Sequence, residues 1–442
     1  MDIQLGTSGK LFRRELSERC RVHGTSYKER TIMSGLLRLG KRNARVIPRA
    51  VVPRPPPCRG RYRRTIFAGG LLLFAAVVRL SGLPRPAIES VTLSRPFFNP
   101  SFGQRLEVRI SVIRNGLATV WVLDRDAFPI RRLASGKALR LGGVTLEWDG
   151  RDDLGRLVPD EAYSFRVELT AGDRTESYFP AGLPVEEFSV REISHDPVHA
   201  VLRYRLPAPS RVHLQVGCSR EDPATGVVGP VLKTVVNRQP RASGPVVEHW
   251  NGLDESGAIS VPNLPHFVIS LAATPLPENS VITVGNRSVS FLEYAARRTG
   301  KGFLTGSEGV AEHAHHKGLT ALDDVSPALR LSPRDAIWAP REKAWRVRDD
   351  AVTLSVSLEG PSSPSFSRQP GGVLVFVDEG LAQRLPATEP PFEIRVPIGK
   401  LPAGVHRIAV NWVSEYGPVT VNSLQILIGG PRTNAARSES PR

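Results

Sequence analysis

Few residues in this chain have both the type and the spacing to do chemistry. Glu312-His313-Ala-His315-His316, with Asp323 and Asp324 downstream, offers imidazole and carboxylate donors of the kind zinc or nickel takes. The run has no Cys and no second anchored His pair, and it lies in a polar stretch without strand or helix periodicity. A metal site needs rigid first-shell geometry, so a solvated loop is expected there, and no metal or cofactor. Asp149, Asp152 and Asp153 are oxygen donors suited to calcium, yet the Asp-x-Asp-x-Asp-Gly loop and its distant Glu are missing. Thr305-Gly-Ser-Glu-Gly309 comes nearest to a serine elbow, with Thr305 where the first Gly belongs. There is no phosphate loop or dinucleotide fingerprint, and no glycosidase-type carboxylate pair stands out from the many loop carboxylates. His195, His199, His213, His249 and His406 are scattered singly. Of Cys20, Cys58 and Cys218, only the last follows the apolar segment described below, and it has no partner for a disulfide or knuckle. Cys218 lacks an activating base pattern and reads as a small strand-end residue. The expectation is a protein without catalytic residues, with its binding residues unassigned.

The elements that would hold such residues are suggested first by bulk properties. At 442 residues the chain is long enough for about three domains of ordinary size. With 39 Gly and 38 Pro it favours a turn-rich β architecture over a helical one. The formal charge of +16 is concentrated at one end: residues 1–64 hold 17 Lys/Arg against Asp2, Glu15, Glu18 and Glu29, a net of +13, leaving +3 for the rest. A nucleic-acid binder carries its basic stripe on the folded part, so nucleic acid is not an expected partner.

Arg59-Gly-Arg-Tyr-Arg-Arg64 followed by the uncharged Thr65–Val78 has the layout of a secretion signal. Arg79 stops the run short of the ~20 residues of a relaxed span, but it can snorkel and let Ile66–Leu83 act as an anchor. Cleaved signal and uncleaved anchor both remain open. In either case the basic flank keeps the amino end inside and directs residues after about 84 outward. Residues 1–64 read as a disordered cytoplasmic tail or as a start placed too far upstream. The expected location is extracytoplasmic (periplasm, cell surface or medium), with membrane contact only through 65–83.

Beyond Pro86 the pattern is that of strands. Leu106, Val108, Ile110 and Val112 alternate with Glu107, Arg109 and Ser111, and Tyr163, Phe165, Val167 and Leu169 alternate with Ser164, Arg166 and Glu168. The plan then recurs. Leu202, Tyr204 and Leu206 echo the first set, and Phe267, Ile269 and Leu271 the second. Trp250-Asn-Gly-Leu-Asp-Glu-Ser-Gly257 echoes Trp148-Asp-Gly-Arg-Asp-Asp-Leu-Gly155. In each, Asp or Asn starts a turn and Gly tolerates positive φ, while the aromatic seals the end of a sandwich.

With Phe98-Asn-Pro-Ser-Phe-Gly103 ahead of these strands and Tyr163-Ser-Phe165 after the turn, residues 88–172 resemble the immunoglobulin-like domain of flagellar hook-capping proteins. Residues 196–285 resemble it more loosely, with Asn251 for Asp149 and no Tyr to match Tyr163. The resemblance implies a structural or binding role. A third module alternates at Val352, Leu354, Val356 and Leu358, at Val373–Val377, at Phe392, Ile394 and Val396, and at Ile408, Val410 and Trp412. It is similar to bacterial immunoglobulin-like surface domains.

The expected fold class is all-β: tandem immunoglobulin-like antiparallel β-sandwiches at 86–180, 186–285 and 336–430 after the signal or anchor segment. A linker is expected over 286–335, with a short helix at Ser290–Arg298, and a tail over 431–442. The expected function is a non-catalytic exported scaffold or adhesion protein with a protein or glycan partner at the envelope. The alternative is an accessory carbohydrate-binding protein or degenerate polysaccharide-acting enzyme. An exposed aromatic platform would favour the alternative. Among Trp121, Trp338, Trp345 and Trp412, alternation points only Trp121 outward.

Overall fold

The computed structural model describes residues 86–183, 185–298, 302–303, 326–414 and 418–429. The signal or anchor segment at 65–83, the His cluster and the Thr305–Gly309 run lie outside the described residues. Among the described residues no helix is long and apolar enough to cross a membrane.

The first sandwich contains β1 (Ile88–Leu93), β2 (Phe97–Phe98), β3 (Leu106–Val112), β4 (Gly116–Leu123), β5 (Pro129–Leu139), β6 (Val144–Trp148), β7 (Ala162–Ala171) and β8 (Arg174–Tyr178). One sheet runs β1-β3-β6, and the other has β5, β4, β7 and β8 in that order. This is the immunoglobulin-type arrangement, with consecutive hairpins split between two facing sheets. Along β3 the apolar set Leu106, Val108, Ile110 and Val112 is buried, and Glu107 and Arg109 are exposed. From the opposite sheet Val120, Val122, Phe165, Val167 and Leu169 complete the same core. Each such side chain contributes roughly 1.5–3 kcal/mol of burial. At the start of β7, Tyr163 Oη donates to Pro159 O over 2.9 Å, the tyrosine corner of this fold class.

The second sandwich is built from β9 (Phe188–Ser189), β10 (Ser194–Asp196), β11 (Val201–Leu206), β12 (Ser210–Cys218), β13 (Val231–Arg241), β14 (Gly244–His249) and β15 (Phe267–Pro275). Its sheets are β10-β11-β14 and β13-β12-β15-β9. The edge position beside β15 is thus held by β9, which comes from the front of the unit. After β15 the chain leaves. It forms β16 (Val281–Thr283), which pairs antiparallel with the first residues of β7 (Val281↔Tyr163) and parallel with β2 (Ile282↔Phe97). It continues into α1 (Phe291–Ala296), capped by a reciprocal Ser290/Glu293 box. Val281, Phe291, Tyr294 and Ala295 belong to the core of the first sandwich.

The expected boundaries therefore need correction. The helix lies where the sequence places it, but 286–298 is no spacer. Residues 281–298 finish the first sandwich, and the second is an insertion between β8 and β16. Strands β8 and β16 share the same side of β7: β8 pairs with Val167–Ala171, and β16 takes the earlier residues, with β2 beyond it.

The third sandwich comprises β17 (Ala328–Arg334), β18 (Ile337–Ala339), β19 (Ala344–Val347), β20 (Ala351–Glu359), α2 (Ser363–Ser367), β21 (Gly371–Val377), β22 (Gly380–Pro386), β23 (Phe392–Pro397), β24 (Gly404–Ser414) and β25 (Val419–Ile428). It begins at β17, eight residues before the expected start at 336. The sheets are β17-β20-β23 and β18-β19-β25-β24-β21-β22, with β19 parallel to β25. Its core centres on Trp412, met edge-on by Phe366 at 5.7 Å and Phe392 at 5.5 Å.

Candidate functional site

The repeated turn is densely hydrogen-bonded in both of its copies. In the first copy Trp148 ends β6 fully buried, and its Nε1 donates to Arg151 O over 3.0 Å. Asp149 Oδ1 accepts from Arg151 N at 3.1 Å, closing the turn. Gly150 has φ 73°, and a Cβ there would stand 2.3 Å from Pro100 Cβ. The buried carboxylate of Asp152 accepts from Leu154 N and Arg156 N through Oδ1, at 3.0 and 2.9 Å. Its Oδ2 takes Arg156 Nε at 2.8 Å and the hydroxyl of Tyr294 on α1 at 3.1 Å.

The second copy reproduces this atom for atom at its centre. Trp250 Nε1 donates to Leu253 O over 2.8 Å, and Asn251 Oδ1 accepts from Leu253 N at 3.1 Å. Asp254 Oδ1 accepts from Ala258 N and Ile259 N at 3.0 and 2.9 Å. Its Oδ2 takes Ser256 Oγ at 2.7 Å and Ser423 Oγ on β25 at 2.5 Å. Asn251 replaces Asp149 without loss because only the Oδ1 acceptor is used. In both copies one oxygen of a buried Asp folds the loop, and the other receives a hydroxyl from the next element packed on it. The loops act as sockets, the first for α1 and the second for the third sandwich. Asp152 and Asp254 are fully engaged by these donors, and among the described residues no group of three His, Cys, Asp or Glu is arranged to hold a metal ion.

Other buried polar contacts strengthen the same joints. Between the first and second sandwiches Arg211 meets Glu161 at 2.6 Å, both almost wholly buried. Arg298, just after α1, forks between Asp124 and Asp126 at 2.6 Å each. Burial raises the Asp124 carboxyl to about 6, against the pull of Arg298 and with a push from Asp126. Between the second and third sandwiches the Asn411 side chain pairs with both backbone groups of Val231, at 2.9 and 2.7 Å. Leu374, Phe376 and Ala409 of the third sandwich join the core of the second. Where the first sandwich has its corner tyrosine, the second has Pro265-His266, and His266 Nδ1 meets Glu379 of the third at 2.8 Å. Losing one member of a buried ion pair costs about 3–5 kcal/mol, so these contacts resist rearrangement.

The remaining sequence candidates fall into structural places. Cys218 is the last residue of β12, and burial together with the nearby Glu379 pushes its thiol up to about 12, leaving it protonated and inert at neutral pH. His195 packs on Trp250 with ring centroids 4.9 Å apart. His406 bridges Asp378 and Pro402 O. Trp412 is core. The outward reading of Trp121 is corrected: Phe303 lies edge-on at 5.5 Å, and Arg166 sits over both that ring and Trp121, so no open platform exists there. Trp338 is the exposed tryptophan, and its sequence gave no sign of this because it lies on a three-residue edge strand.

His213 on β12 makes a pH dependence. Its Nδ1 is shut off from solvent without a partner, and burial, then Arg238, pushes the imidazolium down to about 3. The unfolded ring titrates near ~6.5, so between these values the unfolded state binds more protons. Stability is held above pH ~6.5 and lost as pH falls toward 3. The urea midpoint should drop between pH 7 and pH 4, and the drop should be shallower in His213→Gln. Equal slopes in the two proteins would remove His213 as the cause.

No family model and no curated protein matches this chain. Among solved structures it is similar to the Clostridium perfringens spore cortex lytic enzyme SleM, at 10% identity over 37% of this chain and 35% of that one, with a TM-score of 0.17. It thus spans about a third of that enzyme's length. A tetra-tandem repeat from the extending region of a large adhesion protein aligns at 12% identity over 77% of this chain and 75% of that one, TM-score 0.17. The central fibronectin-III array of RIM-binding protein aligns at 12% identity over 78% and 98%, TM-score 0.15. Superpositions this loose carry no argument. The immunoglobulin-like class rests on the strand order and the tyrosine corner described above.

Proposed function

We propose that the chain is a non-catalytic exported scaffold or adhesion protein, presenting immunoglobulin-like units for protein or glycan binding at the bacterial envelope. The observation that carries this reading is the duplicated socket. The buried carboxylates of the repeated turn, Asp152 and Asp254, are committed to locking one element against the next, which suits an array of set shape. The likeness of 88–172 to hook-capping immunoglobulin-like domains belongs to the same reading, as does export directed by Arg59–Arg64 and Thr65–Val78. The accessory carbohydrate-binding reading keeps support at one place only, the exposed Trp338.

Removing the second joint tests the scaffold. Asn411→Ala with Ser423→Ala deletes three of its side-chain hydrogen bonds, each worth about 1–3 kcal/mol when a buried partner is left unsatisfied, and adding His266→Ala removes the contact with Glu379. Small-angle scattering should then show a larger, more flexible particle than the unaltered protein, while both cores keep their melting transitions. An unchanged scattering curve would contradict the joint. Turnover of a polysaccharide or peptide, abolished by one carboxylate substitution, would overturn the non-catalytic reading. A reporter fused after residue 430 that works only in the cytoplasm would sink export.

A further inference from the structure

We propose that the hairpin of β18 and β19 is a binding site for an anionic polysaccharide, an assignment that rests on the scaffold reading and gives it a ligand class. β18 is the outermost strand of its six-stranded sheet, so its outer edge has no strand partner among the described residues. Trp338 and Trp345 face each other across the hairpin, with ring centroids 5.2 Å apart and planes at 59°. Trp345 packs against the third core, whereas Trp338 is 44% exposed. The inner ring therefore holds the outer one in place while leaving it open to solvent. A fixed, exposed indole is a large apolar surface with a negative face, which complements the C–H face of a sugar ring.

The charges around the pair set the ligand's sign. Arg341 and Lys343 occupy the turn, and Arg346 follows Trp345; all three are exposed. None of the three has an ion-pair partner among the described residues, and Glu342 is the single acid between 337 and 347. Arg334, just outside, is already paired with Glu393 at 2.8 Å. Arg341 follows Trp338 by three residues and Lys343 begins the returning arm, so both cations stand on the order of 10 Å from the Trp338 backbone. That is the separation of one sugar ring from an acidic group on its neighbour in a chain. A cross-strand aromatic pair also stabilises a hairpin by itself. That role accounts for the burial of Trp345 but leaves the exposure of Trp338 and the three unpaired cations without a purpose.

Affinity electrophoresis of the full chain tests the site, with polygalacturonate as the anionic probe and dextran as the neutral one. The tail at 1–64, net +13, adds retardation common to every variant, so the readout is each variant's affinity relative to the unaltered chain. Trp338→Ala, which removes no charge, should weaken polygalacturonate binding by about tenfold, the scale of losing one aromatic anchor. Arg341→Gln with Lys343→Gln should weaken it at least as much without moving the melting transition, because both side chains are exposed, and Trp338→Ala should lower melting only slightly, by the loss of one cross-strand pair. Dextran should retard none of the proteins. Equal polygalacturonate affinity in Trp338→Ala and the unaltered chain overturns the site. So does equal retardation by dextran, which would mean stacking without charge selection. If Trp338→Ala weakens binding to phosphatidylglycerol vesicles but not to polygalacturonate, the surface belongs to a lipid headgroup and the proposal falls. All these failures leave the scaffold reading to its own scattering experiment.

Discussion

Replacing Trp148 with alanine is expected to destabilise the first sandwich by about 3–5 kcal/mol, as for other fully buried large aromatics. Phe98, Tyr163 and Phe165 surround the indole edge-on at 5.5, 5.3 and 6.4 Å, and Nε1 ties it to Arg151 O. Truncation opens a cavity among three rings and frees the turn that seats α1. The loss is a large share of the ~5–15 kcal/mol a domain has in total. The matched change Trp250→Ala should weaken the second sandwich by a similar mechanism, since that ring is stacked on Phe267 at 6.1 Å and nearly buried. Because Glu161 and Arg211 join the two units, neither variant should leave the other unit's transition wholly unmoved. Urea unfolding of residues 86–298 followed by tryptophan emission measures both. Unchanged midpoints would mean the two rings serve ligands and not cores.

The second large effect concerns where the chain is cut. A fragment 86–183 holds every strand from β1 to β8, yet it lacks Val281, Phe291 and Tyr294. Together these three buried side chains contribute about 5–9 kcal/mol at the usual burial scale, comparable with the whole stability of a domain. The fragment should show no cooperative transition, whereas 86–298 should. Near-ultraviolet circular dichroism during urea unfolding separates the cases. A cooperative transition in 86–183 with the midpoint of 86–298 would show that the insertion topology has no energetic weight.

How far these features were legible in the sequence follows from the range of the interactions involved. The period-2 runs of β3, β7 and β20 record burial on one face and could be read locally, whereas β24 is buried on both faces. The Trp-(Asp/Asn)-Gly turn was legible for the same reason, since its bonds close within a few residues. What was not legible depends on partners far along the chain. Tyr294 reaches Asp152 across 142 positions, and Ser423 reaches Asp254 across 169. The run Ser290–Arg298 suggested a short helix, but nothing local could say that the helix returns to the first core. β9, β16 and β18 are only two or three residues long, too short to show a period, and so their sheet positions and the exposure of Trp338 went unread. At Asp149, Asp152 and Asp153 the spacing argued against a calcium loop, but it could not reveal which backbone amides each carboxylate holds.

The insertion of the second sandwich also bears on how the chain would carry mechanical tension. Both of its connections, from β8 and into β16, are anchored on the body of the first sandwich. A pull applied between residues 86 and 298 enters at β1 and leaves through α1, so it passes through the host's own hydrogen bonds and bypasses the guest. The guest is shielded for as long as the host stays closed. Once the host gives way, the guest's roughly 90 residues become extra length in the same tether. A protein pulled between a surface and a partner would thus stretch in steps, the outer sandwich yielding first and the inserted one held in reserve.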